Sequence, residues 1–366
     1  MPRITLSELA KAANVSIAAA SFALNKKPGV SAAKRSEILA VAKRIGYEPD
    51  ATMTKLMAHV ATRRARDEHE TLAVITRFGR PRVWEVNPSV AAFWTGASAR
   101  AKELGYHLEE FRYDEPGVTP QRLRGILRAR GIQGLLFTMA PTQADQMRLD
   151  FDFSGFAAAM SGICFNDPAI NFVVPDHFHN MLLALEAARE RGYRRPMLAM
   201  PGGAAQRTLH RMEGAYLYYI LQHPEMVGLP IYTSEHYETD TLSSMIYEYE
   251  PDVVICTMEN LYSYIGERVL KGIGWISLAW MPGEKHEAGV DRRLEEQGGF
   301  VLDMVVAVIH RGEPGVPTVR KEVLVPGVFR AGPTLPNRNP SVTLNPDSAI
   351  EGQNSEVIVG RKRSRR

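Results

Sequence analysis

The chain has 366 residues, 45% of them hydrophobic and 23% charged, with a net charge of +3. This is the make-up of a soluble globular protein with room for two or three domains, each with its own core. No apolar run reaches the roughly 20 residues a bilayer crossing needs and the N-terminus lacks an apolar signal core, so the expected compartment is the cytoplasm.

The charge is unevenly spread. Met1 to Arg66 holds 12 Lys and Arg against 4 Asp and Glu, a net +8, which leaves −5 for the remainder. A basic N-terminal segment on a mildly acidic body puts the phosphate-seeking surface at one end. The two cysteines, Cys164 and Cys256, lie in or beside apolar segments, as buried thiols in a reducing compartment do, and neither belongs to a metal-ligand cluster.

Residues 4–49 read as three short helices. Leu6, Leu9 and Ala10 share one helical face, and Ser7 with Glu8 suits the exposed start of the first helix. Asn14 then supplies a tight break, because Asn tolerates the left-handed backbone of a sharp turn. Ser16 is placed to cap the second helix, which runs to about Asn25, and Ser31 to cap a third, whose Ile38, Leu39, Ala42 and Ile45 form a buried stripe. Helix, turn, capped helix, loop and helix in a Lys- and Arg-rich stretch outline a helix-turn-helix DNA-binding head.

Leu9-Ala10-Lys11, Asn14-Val15-Ser16, Ser21, Leu24-Asn25, Gly29-Val30-Ser31, Arg35, Ile38 and Gly46-Tyr47-Glu48-Pro49 resemble the head of the LacI/GalR transcriptional regulators, matched without a gap. The resemblance implies that the second helix enters the major groove, with Ser16, Ile17, Ala18, Ser21, Phe22 and Asn25 toward the bases. Lys26, Lys27, Lys34, Arg35, Lys43 and Arg44 are the expected phosphate contacts, and Thr5, Leu6 and Ser31 are further DNA-binding candidates. The family often has Thr where Ala19 stands and Arg where Phe22 stands. Two readings follow. Either Ile17, Ala18 and Phe22 touch thymine methyl groups and favour an operator rich in A·T, or the helix has lost sequence-specific contact. The resemblance also implies a hinge helix within residues 50–70, with Leu56 as the apolar side chain that wedges into the minor groove.

From Thr71 the pattern changes to strand alternating with helix. Strand LAVITRF, helix Ser89 to Leu104, strand HLEEFRY, helix Gln121 to Arg130 and strand GLLFTM lead to the extended pieces MSGICFN and AINFVVPD. Helix His179 to Arg191, strand PMLAM and a helix over Leu209 to Gln222 follow. The segment PIYTSE, a polar helix at Thr241 to Tyr249, DVVICTM, a helix over Asn260 to Lys271 and WISLAW come next. A helical segment from Arg292 to His310, interrupted at Gly298-Gly299, precedes VRKEVLVPGVFRAG. This alternation implies parallel strands in open α/β sheets. Two such halves resemble the two-lobed, periplasmic-binding-protein-like effector domain of the same family.

The expected organisation is therefore a head at 1–49, a hinge and linker at 50–70, a two-lobed effector-binding and dimerisation domain at 71–332, and a disordered basic tail at 333–366. The tail ends in five basic residues out of six, Arg361 to Arg366. In such folds ligands sit at the carboxyl ends of the strands. Candidate effector contacts are Arg77 and Phe78 after the first strand, Trp84 and Phe93 beyond it, Met139, Asp176, Arg211, Glu259 and Trp280. Arg211, three residues before Gly214, matches the family's ligand-contacting Arg. Its guanidinium suits a sugar hydroxyl pair, a carboxylate or a phosphate. No metal-binding His-Glu-x-x-His, phosphate-loop Lys or Gly-x-Ser-x-Gly elbow is present, so catalysis and a cofactor are not expected. The expectation is a DNA-binding regulator, most often a repressor in this family, acting as a homodimer on a near-palindromic operator with a sugar or related metabolite as effector. The alternatives are a sugar-binding protein without regulatory duty and an architectural DNA-binding protein with no effector.

Overall fold

The computed structural model describes residues 5–24, 30–47, 70–139, 148–200, 203–234, 238–257, 265–266, 269–282 and 287–339. The chain divides into two compact units, Met1–Glu68 and His69–Arg366. No helix among the described residues is long and apolar enough to cross a membrane.

The first unit contains α1 (Leu6–Ala12), α2 (Ile17–Leu24) and α3 (Ala32–Ile45). Its start lies earlier than the Ser7–Glu8 pair suggests. Thr5 is the N-cap, and its hydroxyl accepts from Glu8 N while the Glu8 carboxylate accepts from Thr5 N at 2.7 Å, a reciprocal capping box. Asn14 takes the left-handed conformation between α1 and α2, φ 50°, as its side chain permits. Gly46 ends α3 in the same region, φ 72°. The core is small: Leu9, Ala10, Ala13, Ala20, Ala23, Ile38 and Ala42 are buried.

The second unit holds two lobes, each built on a six-stranded sheet. Lobe one comprises β1 (Glu70–Arg77), α4 (Pro88–Leu104), β2 (Tyr106–Arg112), α5 (Pro120–Ala129), β3 (Gly134–Met139), β4 (Ala157–Ser161) and β5 (Asn171–Pro175). Lobe two continues with α6 (His177–Glu190), β6 (Pro196–Met200), α7 (Ala204–Arg207), α8 (Arg211–Gln222), β7 (Tyr232–Thr233), α9 (Thr239–Tyr249), β8 (Val253–Cys256), β9 (Gly274–Ser277) and β10 (Ala288–Asp291). The chain then returns to lobe one for α10 (Leu294–Arg311) and β11 (Glu322–Val325), and ends in lobe two with β12 (Val328–Arg330). The strand orders are β11-β5-β4-β3-β1-β2 and β12-β10-β9-β8-β6-β7. The first sheet is wholly parallel; in the second, β12 runs antiparallel to β10.

Both sheets are covered on both faces, which is why their strands read as continuous apolar runs. Along β1, Leu72 and Val74 meet α4 and α10, while Ala73 and Ile75 meet the opposite layer of Phe137, Phe151, Phe153 and Phe165. In lobe two, Leu198 and Met200 pack toward α6 and α8, and Met197 and Ala199 toward α9. Cys164 and Cys256 are buried thiols.

Two features differ from the sequence expectation. The Gly298–Gly299 pair does not break a helix: α10 is continuous, and a Cβ on Gly298 would lie 2.2 Å from the Phe93 carbonyl oxygen of α4. On the facing helix, a Cβ on Gly96 would lie 1.8 Å from the Glu295 carbonyl oxygen. The glycines let two backbones touch. Residues 333–339, expected to open a disordered tail, are instead packed on lobe two. Thr334 Oγ1 donates to Trp275 O and accepts from Ala288 N, Leu335 is buried, and the Arg338 guanidinium stacks on Tyr193. Those side chains anchor a Pro-rich segment whose composition alone suggests disorder. The basic end, residues 340–366, lies outside the described residues.

Candidate functional site

On the head, Ser16 Oγ accepts from Ala19 N at 3.1 Å and Ser31 Oγ from Lys34 N at 3.3 Å, so both serines hold the starts of helices. The backbone hydrogen bond from Thr5 holds the Glu8 carboxyl below its ordinary pKa. α2 buries Ala20 and Ala23 and turns Ile17 and Phe22 outward, 52% and 39% exposed. Large apolar side chains held at a helix surface in so small a unit are available to a partner. Lys34 pairs with Glu37 at 2.9 Å on the exposed face of α3, a weak pair that a phosphate can displace. Of the remaining expected DNA contacts, Asn25, Lys26, Lys27 and Leu56 lie outside the described residues, as do the side chains of Leu6, Ala18 and Ser21.

In the body, a cavity of about 330 Å³ lies between the lobes at the carboxyl ends of their strands. Thr138, Ser161 and Pro175, at the ends of β3, β4 and β5, face Thr257, Leu278 and Ala279, which follow β8 and β9. Strand-end placement of this kind is where open α/β sheets bind ligands, because crossover turns leave a crevice there. Of the nine effector candidates, Phe78 and Phe93 line this cavity.

The others are placed as follows. Arg77 ends β1 near the Tyr113 phenol, on which its charge acts. Trp84 stacks on Trp94, with ring centroids 4.0 Å apart and planes 10° from parallel. Asp176 caps α6, accepting from His179 N at 3.0 Å. Trp280 Nε1 donates to Glu287 O at 3.1 Å, and Arg330 lies over its ring. Arg211 Nη2 donates to Glu322 Oε2 at 2.6 Å, an ion pair running from α8 in lobe two to β11 in lobe one. The Met139 side chain and all of Glu259 lie outside the described residues.

The cavity also holds side chains that sequence reasoning passed over: His177, Arg207, Arg292 and Gln297. His177 opens α6 directly after Asp176, and burial, then the charges of Arg292, Arg211 and Arg207, pull its pKa from 6.5 to about 3. Its imidazole is therefore neutral at pH 7, and Nδ1 is buried without a hydrogen-bond partner among the described residues. Arg292 follows β10 by one residue and donates to Ser89 Oγ of lobe one at 3.3 Å. Gln297 Nε2 donates to the Arg292 carbonyl at 2.6 Å, fixing the backbone there. The usable signal was position for two of them: His177 and Arg292 come just after the ends of β5 and β10, whereas Arg207 and Gln297 lie on the helices that follow β6 and β10.

Residues 5–50 match the model of the bacterial regulatory proteins, lacI family. The lac repressor dimer, solved bound to operator and the anti-inducer ONPF, superposes with a TM-score of 0.52 at 14% identity, over 92% of this chain and 100% of that one. The transcription regulator CcpA of Lactococcus lactis gives 0.54 at 12% identity, over 72% and 98%. A transcription regulator like protein from Staphylococcus haemolyticus gives 0.52 at 12% identity, over 74% and 100%. No curated protein matches the chain in sequence. The match to the lacI family of bacterial regulatory proteins thus covers the head, residues 5–50, and the two-lobed body shares the fold of the lac repressor.

Proposed function

We propose that this protein is a transcriptional repressor that binds a near-palindromic operator as a homodimer and is switched by a small molecule in the inter-lobe cleft. The observation that carries the reading is the lacI-family helix-turn-helix itself, with an intact capping framework and an α2 that presents Ile17 and Phe22 outward. Apolar side chains at the base edge favour thymine methyl groups, hence an operator rich in A·T. The hinge at 50–70, with Leu56 as its wedge, would bend that operator. A homodimer is supported by the apolar face of α8, where Leu217, Tyr218 and Leu221 are exposed and Tyr218 meets Phe178 of α6 at 6.0 Å between ring centroids. The cavity, small but within the range of small-molecule sites, supplies the effector pocket for a sugar or related metabolite.

The mechanism is coupling. An effector that binds one arrangement of the lobes more tightly shifts the protein toward it, and by linkage operator DNA changes effector affinity by the same factor. Binding-site selection followed by gel retardation tests the DNA half: a site rich in A·T is expected, and a G·C-dominated site read by α2 refutes the apolar readout. Replacing Ile17→Ser together with Phe22→Ala should leave stability within about 0.5 kcal/mol and lower operator affinity by roughly tenfold or more. Effector titration with and without operator tests the other half; equal affinities refute the switch.

A further inference from the structure

Taking the cleft as the place where the effector acts, we infer that Arg211 and Glu322 form a latch between the lobes, set by a strained turn in the cavity wall. Arg211 is the first residue of α8 in lobe two, and its Nη2 donates at 2.6 Å to Oε2 of Glu322 on β11 of lobe one. Glu322 is itself held in place. Arg320 Nη2 donates to its other oxygen at 3.0 Å, and the Arg320 guanidinium lies over the ring of Phe172 in the core of lobe one, 4.7 Å from the centroid. Arg211 has less support: its Nη1 is buried without a hydrogen-bond partner among the described residues. Removing the Glu322 charge would leave a partly buried guanidinium unpaired, which drives the side chain out to water.

The backbone that aims Arg211 is strained. Leu209 and His210, the two residues before it, both take the left-handed conformation, with φ 51° and 56°. Neither is Gly, Asn or Asp, and a bulky side chain makes that conformation costly, so it persists only where surrounding bonds hold it. Those bonds are His210 N to Ala205 O at 2.9 Å and Arg211 N to Thr208 O at 3.1 Å on one side, and the ion pair to lobe one on the other. The same segment is a wall of the cavity: Ala204, Arg207 and Thr208 precede the turn, Met212 follows it, and all four line the space. The Arg211 charge also reaches the cavity, where burial, Arg292, Arg211 and Arg207 together hold His177 below its ordinary pKa. A ligand that presses on Thr208 or Met212 therefore moves the residues that aim Arg211. Once the pair parts, Leu209 and His210 can return to a relaxed backbone, so the turn has two arrangements, latched and released.

The test is amide hydrogen exchange of the full-length protein, read on peptides covering residues 204–214 and, as internal controls, on those covering β1 and β8. Arg211→Gln and Glu322→Gln should each speed exchange at the turn at least about tenfold, and the double variant no more than either alone, since both remove one bond. Arg320→Gln leaves the Arg211–Glu322 bond in place and should change the turn less than about threefold. Leu209→Asn suits the left-handed backbone and should slow exchange about threefold or more, because release then relieves less strain. β1 and β8 should exchange as in the parent throughout. The inference is overturned if either Gln variant leaves the turn as slow as in the parent, or if the two changes add in the double variant. It is also overturned if Arg320→Gln matches Glu322→Gln, if Leu209→Asn speeds the turn, or if β1 or β8 loosens along with it. The regulatory reading fails separately: a Glu322→Gln protein that frees the turn yet binds the selected operator with parental affinity sinks the switch and keeps the latch, and one that alters operator affinity while the turn stays slow does the reverse.

Discussion

The head and the body bury side chains in opposite ways. In the head, five of the seven core positions named above are Ala within a three-helix frame, and two of its large apolar side chains, Ile17 and Phe22, stand at the surface. In the body the large side chains are inside: Trp275, Tyr193, Tyr216 and Phe137 are all fully buried, and several of the polar groups near the cleft already have partners. An exposed apolar residue is thus informative in the head, where there is little core to compete for it. In the body an aromatic or an arginine is more often explained by packing, as the Trp84–Trp94 stack and the Arg211–Glu322 pair illustrate.

The contrast can be broken most forcefully at Ile38. This residue is fully buried at the centre of the head, so Ile38→Ala should cost about 2–5 kcal/mol, enough to unfold a marginal small unit. DNA binding is then lost while the thermal transition of the body and its ligand binding persist, checked by calorimetry and gel retardation. Simultaneous loss of both transitions would show that the two units do not fold independently.

A smaller effect separates two adjacent glycines of α10. Ala at either position gains roughly 0.5–1 kcal/mol of helix propensity. At Gly298 the added Cβ meets the Phe93 carbonyl at 2.2 Å, so overpacking of about 1–3 kcal/mol outweighs that gain and Gly298→Ala lowers the melting temperature. At Gly299 the nearest atom is Arg100 Cβ at 3.8 Å, so Gly299→Ala raises it. Equal responses at the two sites would refute the close crossing of α4 and α10.

The smallest expected effect concerns pH. The unfolded His177 imidazole titrates near 6.5 and the folded one at about 3. Between those values the unfolded chain holds a proton that the folded chain refuses, so His177 subtracts stability as pH falls below 6.5, and the loss levels off near 3. His177→Gln should therefore flatten the decline in melting temperature between about pH 7 and pH 5. An unchanged slope would mean that the imidazole is not held neutral.

Legibility in sequence followed the range of the interactions. The head's signals are local: Ser16 and Ser31 bond amides three residues away, and Asn14 needs only its own φ. The alternation of strands and helices was legible for the same reason. Gly298 was misread as a break because its partner, Phe93, is some two hundred residues distant in sequence. The cleft failed in a similar way. Arg77, Phe78, Trp84 and Phe93 were all named from their place after β1, yet only Phe78 and Phe93 line the cavity, and His177, Arg207 and Arg292 join them there because strand ends from both lobes converge.

The three passages of chain between the lobes lie side by side. Asp176 N, in the first, bonds Val325 O at the start of the third, and Gly327 N, in that third passage, bonds Asn180 Oδ1 while its backbone packs against Asp291 O of the second. These bonds tie the three crossings to one another, so the lobes are joined through one continuous strip of backbone rather than through three independent linkers.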